Sequence, residues 1–221
     1  MENALIIGAT GGIGGALADA LEARGTAVTR LSRRADGLDL TDEASVERVL
    51  GQLSPPQDLI LVATGVLAGD GHRPEKAIRQ VTAEALARQF AVNAIGPMLV
   101  LKHALHLIPR DRPSVFAALS ARVGSITDNR LGGWHSYRAS KAALNQLIHG
   151  AAIELARSHK QACAVCLHPG TVDTPLTRAF ARGHPTVTPQ QAAQHLLQVI
   201  DRLSAAQSGR FFDWSGREIP W

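Results

Sequence analysis

The chain has 221 residues, 45% of them hydrophobic, enough for one sizeable core and short for two, so a single domain over residues 1–221 is expected. Its formal charge of +4 comes from 23 basic residues, scattered rather than clustered, against 19 acidic ones, and no nucleic-acid surface is declared. No run approaches the roughly 20 apolar residues that cross a bilayer, and no basic start is followed by an apolar stretch and a cleavage site. A cytoplasmic protein with no membrane partner is expected.

Residues 4 to 9 (ALIIGA) form an apolar run that ends in glycines, and Ile13, Leu17 and Leu21 then recur at a four-residue spacing. This predicts a buried strand, a tight turn and a helix. A second strand is expected over residues 26 to 31 and, after a very short polar connection, a third over 38 to 40. Thr41 has the character of an N-cap, with Asp42 and Glu43 in the first turn of the helix that follows. The continuous apolar run at 58 to 63 (DLILVA) suits a strand buried on both faces of a parallel sheet.

A long helix is expected over 83 to 108, disturbed at Gly96 and Pro97. A strand over 114 to 119, a helix over 136 to 158 and a strand over 162 to 167 follow, then a helix over 189 to 203 and a short aromatic strand at 210 to 213. Cys163 and Cys166 lie three apart on one strand, hence on opposite faces. They read as buried core thiols rather than a redox or zinc pair, and no metal site is expected. Strands alternating with helices give an α/β chain: a Rossmann-type, doubly wound, three-layer fold with a mostly parallel sheet of about seven strands. Its ligand belongs beyond the carboxyl ends of the strands.

The segment GATGGIGG places Gly8, Gly12 and Gly14, with Thr10, Gly11 and Ile13 between them, at the turn from the first strand into its helix. Glycines there let the backbone approach a pyrophosphate, which helix N-terminal N–H groups stabilise. The second strand ends on Leu31, Ser32, Arg33 and Arg34, with no acid to hold the two ribose hydroxyls of NAD. A hydroxyl and two guanidiniums suit a 2′-phosphate, so NADP(H) is the expected cofactor; a solvated basic loop is the alternative for Arg34. The sole tyrosine, Tyr137, occurs in SYRASK with Lys141 four residues on. On a helix the two share a face, and a nearby ammonium stabilises phenolate and makes Tyr137 a usable general acid and base.

At these residues the chain resembles the short-chain dehydrogenase/reductase family over nearly its whole length. Within that family GSITDNRLGGWHSYRASKAALN and the closing DWSGREIPW look like the C-factor and sniffer-like carbonyl reductases. The resemblance implies hydride transfer between the nicotinamide and a substrate carbon, with Tyr137 exchanging a proton with the substrate oxygen and Lys141 also holding the nicotinamide ribose. It implies that Asn93 supports a water relay to the lysine, unless it is a helix-bend residue. Asp39, next to Leu40, is implied to hold the adenine amino group, or is a turn residue. Ala63, Thr64 and Gly65 would pack on adenosine, and in HPGTVDTPL Pro169, Gly170, Val172 and Thr174 would border the carboxamide and phosphates.

Three departures from the family pattern stand out. The N-N-A-G after the fourth strand is VATG here, and the helix between the second and third strands is missing. The position of the family's catalytic serine holds Ala121. A replacement hydroxyl is expected from Ser125, or from Ser120, whose side chain points the other way if the strand continues. Trp134 and His135 either line the substrate pocket or pack on a neighbour, and His168 is structural rather than catalytic.

The function expected is an NADPH-dependent reductase acting on a small-molecule carbonyl, or on the alcohol in reverse. The alternative is an NADP(H)-binding regulatory or signalling protein with little turnover. An NAD-linked dehydratase or epimerase of a nucleotide sugar shares the Tyr and Lys logic but needs an additional substrate domain. The region TRAFARGHPTVTP, where the family builds its lid, is short, which predicts an open and tolerant pocket. The resemblance also implies a homodimer or homotetramer packed through the helices near 83–108 and 136–158.

Overall fold

A computed structural model describes every residue except 70, 72, 181, 182 and 184. Among the described residues the sheet has six strands: β1 (Asn3–Ile7), β2 (Ala27–Leu31), β3 (Leu59–Val62), β4 (Ser114–Leu119), β5 (Ala162–His168) and β6 (Phe211–Asp213). All pair in parallel in the order β2-β1-β3-β4-β5-β6. Ile7 lies beside Leu31 and Val62, Val62 beside Ala118, and Leu119 beside Leu167, so the strands end along one carboxyl edge. Strand order reverses between β1 and β3, the switch point where such sheets open a crevice.

Side chains alternate across the sheet into two cores. One holds Leu5, Ile7, Ile60 and Cys166 under α3 (Glu43–Leu50), α5 (Gly96–His103) and α6 (His135–Ser158). The other holds Ala4, Ile6, Leu61 and Cys163 under α1 (Gly12–Glu22) and α7 (Pro189–Ile200). The two thiols therefore face opposite ways, and burial pushes each up to about 12. Thr188 and Gln191 cap α7 reciprocally, which fixes its start at Pro189.

Residues 38–40 do not pair with the sheet. A parallel neighbour needs a crossover of about a dozen residues, and only 32–37 separate them from β2. That stretch is a single helical turn, α2 (Arg33–Asp36), closed by left-handed Gly37, so the connection carries one turn of helix where none was expected. Leu38 and Leu40 bury into the first core as a loop instead. The cap of α3 is Asp42, which accepts from the Ala44 N–H, and not Thr41; the Asp39 carboxylate captures the Thr41 N–H and hydroxyl at 2.9 and 2.7 Å.

The long helix runs as α4 (Ala83–Phe90), a π-helical segment over Ala91–Ile95 and then α5. Pro97 has no N–H for the carbonyl of Asn93, so the ladder widens in the turn before the proline. After β6 the chain folds back, Ile219 N–H donating to Phe211 O at 2.8 Å, and Trp221 stacks on Phe211 and edges onto His149. No helix among the described residues is long and apolar enough to cross a membrane, and no cluster of His, Cys, Asp or Glu among them suits a metal.

Candidate active site

The glycine turn is dictated by close approach. Gly8 sits at φ +90° and its neighbour Ala9 donates to Leu31 O at 3.1 Å. A Cβ on Gly14 would overlap the carbonyl of Gly8, so only glycine lets α1 cross the turn there. Gly11 caps α1 with no side-chain acceptor, which leaves the first-turn N–H groups open to an anion. Thr174 reaches over this turn, 3.1 Å from where a Cβ of Gly12 would stand.

At the end of β2, Ser32 is buried and its hydroxyl accepts from the Ala35 N–H. The sequence places no acid here, yet the Asp36 carboxylate folds back to accept from Ser32 N–H at 2.7 Å and from its hydroxyl at 3.3 Å. Asp36 stands four residues after Ser32, one helical turn on, and that spacing is the signal that would have found it. Arg33 and Arg34 are exposed, and neither guanidinium is hydrogen-bonded among the described residues. Asp39 serves as the acceptor of a turn; its bonds from Thr41, with Arg33 nearby, hold it below the usual carboxylate value.

Gly65, after β3, stands between Asn93 and Lys141: a Cβ there would lie 3.3 Å from Asn93 Oδ1 and 3.7 Å from Lys141 Nζ. The neighbouring Thr64 hydroxyl is buried without a partner among the described residues. Asn93 clamps the loop after β3, accepting from Val66 N–H and donating to Val66 O, both at 2.8 Å, and donating to Gln89 Oε1 at 2.6 Å. Gln89 in turn donates to Leu67 O. It is a member of the site that sequence reasoning missed, although it lies one helical turn before Asn93.

Tyr137 and Lys141 share a face of α6. Lys141 is 3% exposed and its ammonium donates to Leu119 O at 2.8 Å, 6.0 Å from the centre of the Tyr137 ring. A Cβ on Gly124 would stand 2.8 Å from Lys141 Cβ, so glycine is needed where the chain after β4 crosses α6. Burial pushes Lys141 down to about 8 and Tyr137 up to about 12. For the tyrosine this is opposite to the direction expected from a nearby ammonium: in the protein alone burial is the cause of the shift, and for each group it favours the neutral form.

Neither candidate serine is bonded to the phenol. Ser125 is 1% exposed; its hydroxyl donates to Pro220 O and accepts from the Asp128 N–H. The short turn Arg122–Gly124 carries it past the site to the folded-back tail, where it is an anchor. Ser120 donates to Asn145 Oδ1 at 2.7 Å. Ala121 holds the position between them and offers no hydroxyl.

Trp134 does border the tyrosine, with ring centres 6.3 Å apart, and it meets Phe180 at 5.7 Å, both edge to face. His135 begins α6. His168 is driven down to about 4 by burial, with Arg122 adding to it, so it is neutral at pH 7. Pro169 and left-handed Gly170 turn the chain after β5, and Val172 bridges to Val187. A cleft of about 750 Å³ opens between the loop after β3 and the segment after Thr174, lined by Ala68, Arg73, Leu176 and Phe180. The expected lid at 177–189 includes residues 181, 182 and 184, which lie outside the described residues.

The sequence model of a family described as enoyl-(acyl carrier protein) reductase matches residues 8–207. A 1-hydroxy-2-glutathionyl-2-methyl-3-butene dehydrogenase of Rhodococcus sp. (strain AD45) is 31% identical over 236 aligned positions, covering 100% of both chains. The C-signal protein of Myxococcus xanthus is 36% identical over 136 residues, 62% of this chain and 78% of that one. Among solved structures, the carbonyl reductase Sniffer of D. melanogaster shares the fold over 100% of both chains, with a TM-score of 0.86 at 21% identity. A putative short-chain dehydrogenase/reductase from Burkholderia multivorans with bound NADP has a TM-score of 0.79 at 25% identity over 100% of this chain and 99% of that one. A family match of this extent, joined by a relative that aligns from end to end, shows that the chain belongs to the short-chain dehydrogenase/reductase family of oxidoreductases.

Proposed function

We propose that the chain is a single-domain, NADP(H)-dependent carbonyl reductase acting on aldehydes or ketones. The observation that carries this reading is the Tyr137–Lys141 pair on one face of α6, at the same carboxyl edge of the sheet as the glycine turn. The residues present fit the cofactor. The uncapped start of α1 and the glycine contacts suit the pyrophosphate, and the Thr64 hydroxyl has no partner among the described residues. The exposed Arg33 and Arg34 suit the 2′-phosphate, while Asp36 and the Ala35 N–H occupy the Ser32 hydroxyl. The NADP held by the Burkholderia multivorans relative supports the same choice.

When bound, the cofactor supplies the hydride. Tyr137, held near 12 by burial, carries its proton at neutral pH and so acts as a general acid toward the substrate oxygen. In the reverse direction it must take a proton, and the charged form of Lys141 then favours the phenolate. With Ala121 in place of a serine, the phenol is the donor to the oxygen that the described side chains supply. The apolar edge formed by Trp134 and Phe180 would pack the body of the substrate, with the guanidinium of Arg73 across the cleft.

Exposed Ile95 and Ile153, on the two long helices, support a homodimer or homotetramer packed through them, which light scattering would read. The second reading, an NADP(H)-binding signalling protein with little turnover, is favoured by Ala121 and by the likeness to C-signal. Titration with NADPH and NADH, then NADPH oxidation over a panel of aldehydes, ketones and quinones, separates the two. Preference for NADPH and a turnover that Tyr137→Phe abolishes are expected; tight binding without turnover on any panel member moves the conclusion to the second reading.

A further inference from the structure

The chemistry above makes no use of Glu75, yet the residue is 4% exposed and lines a small cavity together with Ser136 and Tyr137. It lies at the end of the loop after β3, 61 residues from its partner along the chain. Oε1 accepts from the Ser136 hydroxyl and Oε2 from the Ser136 N–H at 3.2 Å. Its main-chain carbonyl accepts from Trp134 N–H. Burial works to raise its pKa, but the bonds from Ser136 hold it below the usual value, so a full negative charge sits at the mouth of α6.

That helix needs one. Tyr137 is its third residue, in the first turn, where N–H groups have no helical acceptor. The cap residue, Trp134, contributes no side-chain bond and is left-handed, at φ +50° and ψ +39°, a conformation that costs a residue other than glycine about 1–2 kcal/mol. Gly132 and Gly133 before it are left-handed too, at φ +63° and +66°. Three such residues in a row aim the amides of Trp134 and Ser136 at Glu75. An anion there also meets the positive end of the helix dipole.

We propose that Glu75 is a positioning residue: its carboxylate caps α6 from outside the helix and so fixes Tyr137 and the Trp134 wall at the substrate cleft. The loop that carries it is tied at its start by Asn93 and Gln89, through Val66 and Leu67, and at its end by this cap. Lys141, one turn further along, is held separately by burial and by Leu119 O. Loss of the cap therefore displaces the proton donor and leaves the lysine and the glycine turn where they are.

The inference rests on Tyr137 being the proton donor, and the test separates the two ideas. Glu75→Gln, Glu75→Ala and Ser136→Ala in the full chain are compared for kcat, for the Kd of NADPH and for hydrogen exchange at the amides of residues 134–137 and 141–150. The expected result is kcat lowered about threefold by Glu75→Gln and about tenfold by Glu75→Ala, the equivalent of about 1.4 kcal/mol. NADPH Kd should stay within about twofold, with faster exchange at 134–137 and none at 141–150. Unchanged kcat with unchanged exchange overturns the proposal, and so does a loss of kcat matched by weaker NADPH binding and faster exchange along the whole helix. If Glu75→Ala does not fold, Glu75→Gln and Ser136→Ala decide. Turnover that survives Tyr137→Phe removes the functional reading instead, and the exchange pattern still reports the cap.

Discussion

The two halves of the carboxyl edge are built on different principles. The half around β1 and β2 is a backbone construction: glycines at Gly8 and Gly14 let main chain meet main chain, and the open N–H groups of α1 do the rest. The half around α6 is a construction of distant side chains, with Glu75 tied to Ser136 across 61 residues and Ser125 tied to Pro220 across 95. The first tolerates no added atom at Gly14 and holds no buried ionisable side chain among the described residues. The second holds buried ionisable groups whose pKa values burial and hydrogen bonding shift, and it depends on the bonds that reach them.

The largest effect that tests this contrast is steric. Gly14→Val places a branched side chain against the Gly8 carbonyl, an overlap that no rotamer relieves. A loss of about 4 kcal/mol in stability is expected, or, if the fold survives, NADPH affinity weaker by at least about 100-fold. An affinity within tenfold of wild type would show that the turn has slack.

The next effect is electrostatic and belongs to the other half. Burial holds Lys141 at about 8, below its ordinary 10.5, so between these values the unfolded chain binds a proton that the folded chain does not. The stability linked to this group is fully present above about 10.5 and is lost as pH falls through about 8. Unfolding free energies from urea titrations of wild type, measured against Lys141→Met, should therefore rise with pH across this window, by about 3 kcal/mol at most. Groups that do not sense Lys141 cancel in the subtraction, whereas Cys166, whose buried thiol the lysine pulls down, also contributes to the difference. A flat difference would mean that the ammonium keeps its charge inside the protein.

The same contrast explains what could be read before the structure. The glycine turn, the strand runs and the Tyr137–Lys141 pair are local patterns, and each registers within a few residues of sequence. The short α2 and the unpaired residues 38–40 were harder, because Leu38 and Leu40 are as apolar as strand residues and only the length of the connection decides against pairing. Glu75 and Gln89 look like ordinary polar positions of a loop and a helix. Their meaning depends on partners that the fold supplies from α6 and from the loop after β3. Ser125 illustrates the converse: as the hydroxyl nearest after Ala121 in the sequence it suggests chemistry, and the tail carbonyl of Pro220, far along the chain, claims that hydroxyl.

The smallest expected effect concerns that hydroxyl and its neighbour. If the site lacks a second donor to the substrate oxygen because position 121 is alanine, Ala121→Ser restores one. Removal of a well-placed donor of this type costs about 100- to 1,000-fold in kcat. A serine added without evolved support is expected to return about tenfold, with little change in NADPH affinity. Ser125→Ala should behave as an anchor variant, losing about 1 kcal/mol of stability through the tail and the Asp128 N–H while kcat stays within about twofold at a temperature where it is folded. The opposite pair of results, no gain from Ala121→Ser and a collapse of kcat in folded Ser125→Ala, would mean that Ser125 leaves Pro220 and turns to the substrate when the site is filled. The half around α6 would then move where the bonds to Pro220 and Asp128 tie it, and its contrast with the glycine turn would be one of dynamics rather than of construction.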